Sequence, residues 1–284
     1  VSALTIAEGL RRAVGELRGA GCPDPARDAR LLLAHAIGLS PSSISLEGAR
    51  VLTAAEQTQF AKVVTRRLAR EPVSHILGYR EFWGRRFEVS AAVLDPRPET
   101  ETIIEAALAG GPKRRVLDLG TGSGCLALTL AAEWPDAVAT AVDCSESALA
   151  VAARNATTLG VAARATFHQG NWFDPLEGVF DLIVSNPPYI TTAEMAELEP
   201  DVANWEPHIA LTPGGDGLAS YREIAGGLRA HLAPGGSALL EFGAGQGPAV
   251  TAIFNAEGWS ETRLLPDLSG RPRTLQVLDV ENGL

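Results

Sequence analysis

The apolar run Val179-Phe180-Asp181-Leu182-Ile183-Val184 ends in Ser185-Asn186-Pro187-Pro188-Tyr189-Ile190. Asn186 and Pro187 each precede a proline and are driven toward extended geometry, and neither proline has an N–H with which to continue a ladder. Such a segment is stiff. Its carbonyls are free to face a pocket, beside the side-chain oxygen of Asn186. A substrate NH₂ group carries two donors, which Asn186 Oδ1 and the Pro187 carbonyl accept together in this reading. Pro188 holds the turn rigid, and Tyr189 packs against a planar amide or base and keeps water out. The chemistry suggested is at an amino or amide nitrogen.

A second constellation precedes it. Val116-Leu117-Asp118-Leu119 runs into Gly120-Thr121-Gly122-Ser123-Gly124, a strand entering a glycine-rich turn with a helix beyond. Glycines there allow a tight turn and let a ligand lie against backbone N–H groups at the helix start. Gly122-x-Gly124-x-x-Ala127 satisfies the dinucleotide fingerprint, and Asp143 follows at about the 20-residue spacing of a ribose-binding acid, so an NAD-dependent oxidoreductase is one reading. Asp118 favours another. A carboxylate two residues before the first glycine repels a pyrophosphate and attracts an ammonium group, which suits S-adenosylmethionine, with Asp143 on the ribose hydroxyls.

These residues need a scaffold. From about residue 93, strand and helix patterns alternate as in a sheet built from parallel crossovers. Strands are predicted at 115–119, 138–142, 165–168, 180–185, 237–242, 261–265 and 274–280, with helices at 99–109, 125–133, 146–159, 218–232 and 246–257. No helix pattern separates the last two strands, so they are expected to form an antiparallel hairpin. The first 78 residues read instead as short helices, with Thr53-Ala54-Ala55-Glu56 a capping-box sequence. Tyr79 to Ser90 reads as two short strands around a turn. The expected organisation is a helical domain over 1–78, a β-hairpin linker over 79–92 and an α/β domain over 93–284.

Bulk properties bound the function. The net charge of −10 is uneven: residues 1–90 carry 13 Lys and Arg against 9 Asp and Glu, whereas residues 91–284 carry 11 against 25. So acidic a catalytic part argues against extensive contact with a nucleic-acid backbone. No run reaches the roughly 18 apolar residues of a membrane span, no leader pattern opens the chain, and the expected compartment is the cytoplasm. Cys22, Cys125 and Cys144 show no paired spacing, and the five histidines no ligand spacing, so no metal is expected.

Asn186-Pro187-Pro188-Tyr189 behind this glycine loop resembles the amino-group methyltransferases that modify adenine, guanine or glutamine. Arg97-Pro98-Glu99-Thr100-Glu101, Asn171-Trp172-Phe173 and, in the helical domain, Glu71-Pro72-Val73-Ser74-His75-Ile76-Leu77-Gly78 narrow the resemblance. Over essentially the whole chain it is to the HemK/PrmC family, the glutamine N5-methyltransferases of peptide-chain release factors.

That resemblance implies a Rossmann-like, seven-stranded S-adenosylmethionine-dependent methyltransferase domain whose helical partner grips a bacterial class-1 release factor. The glutamine of the release factor's Gly-Gly-Gln loop would be methylated, leaving S-adenosylhomocysteine. By motif position, Asp118, Gly120, Thr121, Gly122, Ser123, Gly124, Asp143, Trp172 and Asn186 contact the cofactor. Asn186, Pro187 and Tyr189 carry the catalysis, and Asn186, Pro187, Pro188 and Tyr189 hold the amide. Asn171 is a departure, standing where an acid often precedes the Trp. Two more positions are open: whether Arg97 to Glu101 line the pocket, and whether Arg271 or Arg273 binds substrate. Ribosomal-protein glutamine methyltransferases and DNA adenine-N6 methyltransferases are alternatives within the class, and a docking module without catalysis lies outside it.

Overall fold

The computed structural model describes residues 4–267 and 269–279. In chain order the elements are α1 (Ile6–Gly19), α2 (Pro25–Ile37), α3 (Pro41–Ile44), α4 (Ala54–Leu68), α5 (Val73–Leu77), β1 (Tyr79–Phe82) and β2 (Arg85–Glu88). They continue with α6 (Glu101–Ala109), β3 (Arg115–Leu119), α7 (Cys125–Glu133), β4 (Val138–Asp143), α8 (Glu146–Thr158), β5 (Ala165–Gln169) and β6 (Phe180–Ser185). The last are α9 (Pro200–Ala203), α10 (His208–Leu211), α11 (Ala219–His231), β7 (Leu232–Glu241), α12 (Gly247–Ala256), β8 (Thr262–Pro266) and β9 (Pro272–Leu278). The expected strands and long helices are present with ends shifted by a few residues. Two shifts are larger. β7 begins five residues before the expected Ser237, and the helix expected from Glu99 opens with a 3₁₀ turn, Pro98–Thr100, before α6. Val280, the expected end of the last strand, lies outside the described residues.

The chain forms two compact units, Val1–Tyr79 with Glu199–Trp205, and Arg80–Leu198 with Glu206–Leu284. The alternating strand and helix pattern assigns all of 93–284 to one domain. Glu199–Trp205 groups with the helical unit instead, for a reason that tertiary charge pairing explains. Arg67 is buried and pairs through Nε with Asp28 Oδ2 and through Nη2 with Asp201 Oδ2, each at 2.7 Å. Arg70 also pairs with Asp201, and Trp205 Nε1 donates to the Ala69 carbonyl. An unpaired guanidinium there would cost several kcal/mol, so Asp201 is held. The rest of that unit packs Ile6, Leu17, Leu32, Leu33, Ile44 and Phe60 into one core. Its helix α4 starts on the expected capping box, the Thr53 and Glu56 side chains each accepting from the other's backbone N–H.

In the larger unit the sheet order is β5-β4-β3-β6-β7-β9-β8. The pairs from β5 to β7 are parallel, with α7, α8 and α11 returning the chain from β3 to β4, from β4 to β5 and from β6 to β7, and β7–β9 and β8–β9 are antiparallel. The chain leaves β3 for β4 on one side and later places β6 on the other. That reversal opens a crevice beyond the carboxyl ends of β3 and β6, where sheets of this kind bind ligands. Two apolar layers cover the sheet. Val116, Val184 and Leu239 face α6 and α7, while Leu117, Ile183 and Leu240 face α11 and α12.

Candidate active site

Register aligns the polar residues before any side chain is considered. Leu119 pairs with Val142 on one side and Ser185 on the other, and Ser185 pairs with Leu240. The next residues, Asp143, Gly120, Asn186 and Glu241, therefore form a row along the carboxyl edge. Side chains alternate along a strand, so Asp118, Asp143, Asn186 and Glu241 all point to the face shared with α6 and α7. Beyond this row lies a cavity of about 280 Å³, close to the lower end for small-molecule sites. Asp118, Gly120, Thr121, Gly122, Ser123, Asp143, Trp172, Asn186 and Pro188 are on its wall.

On the β3 side, Asp118 is 1% exposed. Its Oδ2 accepts from Thr121 Oγ1 at 2.6 Å and from the Ala127 N–H at 3.2 Å, while Oδ1 has no partner. Burial pushes this carboxyl up to about 7, against the pull of those two donors. A buried acceptor left open at a cavity wall is suited to a cationic ligand group. Asp143 Oδ2 accepts from the Gly122 N–H at 2.8 Å and Oδ1 from the Ser145 N–H at 2.9 Å, which fix the carboxylate at the edge. Burial raises its pKa as well. Trp172 has a left-handed backbone, φ 45°, uncommon for so large a residue, and its ring lies beside Gly120. Gly124 is not on the wall. It caps α7 at φ 82°, and a Cβ there would stand 2.7 Å from Leu128 Cδ1, so its role is to let the loop meet the helix.

On the β6 side, Asn186 Nδ2 donates to Thr100 Oγ1 at 3.2 Å, and Thr100 Oγ1 donates to Glu241 Oε2 at 2.6 Å. The amide's Oδ1 is left as its acceptor. Two of the clamp's carbonyls are engaged: Ser220 Oγ donates to Pro188 O at 3.2 Å, and Gln246 Nε2 to Tyr189 O at 2.9 Å. Among the described residues nothing donates to the Pro187 carbonyl. Pro187 and Tyr189 are themselves absent from the cavity wall. Tyr189 packs against the apolar layer of Ile183, Tyr221 and Phe242, and burial raises its hydroxyl to about 12, so it keeps its proton near neutrality.

The Arg97 to Glu101 stretch divides. Thr100 lines the cavity, Arg97 makes a two-oxygen ion pair with Glu206 at 2.8 and 2.7 Å, Glu101 accepts from the Trp83 N–H at 2.7 Å, and Glu99 is exposed. Arg271 is exposed, and Arg273 lies 3.9 Å from Asp267. Neither arginine is on the wall.

Residues 8–78 match the family model of the PrmC N-terminal domain, and residues 94–204 that of the methyltransferase small domain. The chain is 53% identical over 271 residues to the release factor glutamine methyltransferase of Cereibacter sphaeroides, covering 95% of this chain and 97% of that one. The chain belongs to the release factor glutamine methyltransferase family, HemK/PrmC. The Rhodospirillum rubrum member of the family is 47% identical over 276 residues, covering 96% of this chain and 85% of its own. Among solved structures, a methyltransferase from Pyrococcus furiosus superposes with a TM-score of 0.53 at 19% identity, over 77% of this chain and 98% of that one, a likeness of fold.

For a member of this family, four polar residues at the site escaped the sequence reading: Thr100 as a contact of Asn186, Glu241, Ser220 and Gln246. Glu241 had a signal. It is a carboxylate closing the apolar run Ala238-Leu239-Leu240, on the strand that neighbours the one leading to Asn186. Ser220 and Gln246 sit at the starts of α11 and α12, where polar residues are ordinary and carry no such signal.

Proposed function

We propose that this enzyme methylates the side-chain amide nitrogen N5 of the glutamine in the Gly-Gly-Gln loop of class-1 peptide-chain release factors. The observation that carries the reading is the β6 edge, where Asn186 lines the cavity and its Nδ2 is tied to Thr100, which leaves Oδ1 as an acceptor; the unengaged Pro187 carbonyl is the second acceptor of this reading. Two acceptors match the two hydrogens of a primary amide. They fix the nitrogen, and accepting both hydrogens raises the electron density of a nitrogen whose lone pair is otherwise delocalised. Positioning of this kind supplies much of the rate in an in-line transfer.

The β3 edge fits S-adenosylmethionine. Asp118 offers an unpartnered, buried carboxylate oxygen to an ammonium group, Asp143 stands one strand away for ribose hydroxyls, and Gly120 to Ser123 give close backbone approach. Trp172 supplies an apolar face near Gly120. When bound, the sulfonium supplies an electrophilic methyl group. The chain's own part is to hold that group and the amide at adjacent edges and to keep water out with Pro188, Pro207, Ile209 and Pro213.

The helical unit serves as the release-factor grip. The acidic balance of residues 91–284 weighs against a nucleic-acid substrate, and the enzyme works in the cytoplasm beside its substrate. No helix among the described residues is long and apolar enough to cross a membrane. The test is transfer of labelled methyl to purified release factor, ribosomal protein and DNA in parallel, with mass spectrometry locating the label. Label on the Gly-Gly-Gln glutamine is expected, and label confined to DNA or ribosomal protein contradicts the assignment.

A further inference from the structure

We propose that Thr100 and Glu241 are positioning residues that fix which way round the Asn186 amide stands, and so make the site select a nitrogen that carries hydrogens. The inference deepens the amide-methylation reading and rests on it. An asparagine amide is nearly symmetric in shape, but its two ends are opposite in hydrogen bonding. With Oδ1 toward the cavity it accepts from a substrate NH₂. Turned over, it sets donor against donor and suits a carbonyl oxygen instead. Something must choose.

The choice is made by a buried chain of three groups. Thr100 and Glu241 are each 2% exposed. An ionised Glu241 can only accept, so the single Thr100 proton goes to Oε2, in a short charge-assisted bond of 2.6 Å. The Thr100 oxygen then has only lone pairs to offer Asn186, which must present Nδ2, as observed at 3.2 Å. A neutral Glu241 reverses the logic. It donates to Thr100, whose proton is then free for Asn186 Oδ1, and the amide turns over. Sheet register holds the chain together, because the Ser185 and Leu240 pairing sets Asn186 beside Glu241.

The groups around Glu241 decide its charge. Burial pushes it up to about 7; Arg273 on β9 and Arg97 ahead of α6 favour the ionised form, and Glu99 opposes it. Cys125, Tyr189 and Tyr221 also feel its charge, and the Tyr221 hydroxyl donates to the Glu241 main-chain oxygen at 2.8 Å. The working orientation thus holds above neutrality and weakens on the acid side.

The experiment compares wild type, Thr100→Val, Thr100→Ser and Glu241→Gln by release-factor methylation kinetics against pH. Calorimetry with S-adenosylhomocysteine and the Asn186 side-chain NH₂ signal in ¹⁵N-asparagine NMR spectra accompany the kinetics. Thr100→Val is expected to lower kcat on the order of tenfold or more, with KM and S-adenosylhomocysteine affinity within about threefold. Thr100→Ser restores most of kcat. Glu241→Gln, which can donate or accept, gives an intermediate kcat and, with S-adenosylmethionine saturating, flattens the acid limb of kcat near pH 7. In Thr100→Val the Asn186 NH₂ signal shifts and its hydrogens exchange faster. The inference is overturned if Thr100→Val keeps kcat within about threefold of wild type, if Thr100→Ser is no better than Thr100→Val, or if the Asn186 signal is the same in both proteins. A wild type that leaves release factor unlabelled refutes the proposed substrate, and the Asn186 signal then decides the positioning by itself.

Discussion

Asp118 and Glu241 are two buried carboxylates on the same sheet face, at the ends of β3 and β7, and burial pushes both up to about 7. They differ in what they leave open. Asp118 keeps one oxygen without a partner at the cavity wall, while Glu241 lies off the wall and spends its bond on Thr100. Burial of a carboxylate thus serves two purposes. One edge holds an open charge ready for a ligand cation; the other uses its charge to orient a neutral neighbour.

The largest expected effect breaks the β6 edge alone. Asn186→Ala removes the side-chain acceptor and is expected to lower methyl transfer about 100-fold or more, as loss of one preorganised partner does elsewhere. Affinity for S-adenosylhomocysteine, measured by calorimetry, should change much less. Loss of binding as severe as loss of transfer would erase the division between the edges.

Asp118→Asn tests the other edge and should weaken S-adenosylhomocysteine binding by about 10- to 100-fold. The wild type adds a pH signature. Below about 7 the Asp118 carboxyl is protonated in the free protein, so affinity should fall with pH at a rate approaching about tenfold per unit. Calorimetry at pH 8, 7 and 6 should give a flat profile in Asp118→Asn.

Stability separates the two acids again. Each has a folded pKa above its unfolded value, so its contribution is intact below the ordinary carboxylate range and is lost as pH rises through about 7. Neutral replacements should therefore stabilise the protein at pH 8, by up to about 4 kcal/mol for Asp118→Asn and about 3 kcal/mol for Glu241→Gln. Denaturant unfolding at pH 8 and pH 5 should show both gains shrinking at the lower pH.

The smallest effects come from a pair of glycines. A Cβ on Gly217 would stand 2.3 Å from the Tyr189 carbonyl oxygen, so Gly217→Ala should displace the clamp and cut transfer roughly tenfold while cofactor affinity holds. Gly124→Ala, at φ 82° and crowded by Leu128, should cost about 1–3 kcal/mol of stability. Thermal unfolding and initial rates on both variants distinguish these outcomes.

The legibility of the molecule in its sequence follows the same division. The β3 edge is local: Asp118, the glycines and the start of α7 lie within ten residues, so spacing and strand period carry the information. Asp143 needs only the next strand. The β6 edge is assembled from Thr100, Asn186 and Glu241, separated by 86 and 55 residues, and only strand order, with the Pro98–Thr100 turn packed against it, makes them neighbours. The four motif residues were likewise visible as a rigid segment, but spacing does not tell which carbonyls Ser220 and Gln246 engage. Glu199–Trp205 groups with the helical unit through the charges of buried Arg67 and half-buried Arg70, which spacing along the chain does not show. The short helices α9 and α10 give too few turns for a period to be read.

The most direct measurement incubates the enzyme with S-adenosylmethionine and purified release factor and maps methylation by peptide mass spectrometry, with Asn186→Ala in parallel. One methyl group on the Gly-Gly-Gln glutamine with wild type, and nearly none with the variant while it still binds S-adenosylhomocysteine, is the predicted result. An unmodified glutamine with wild type, or full methylation by Asn186→Ala, would contradict it.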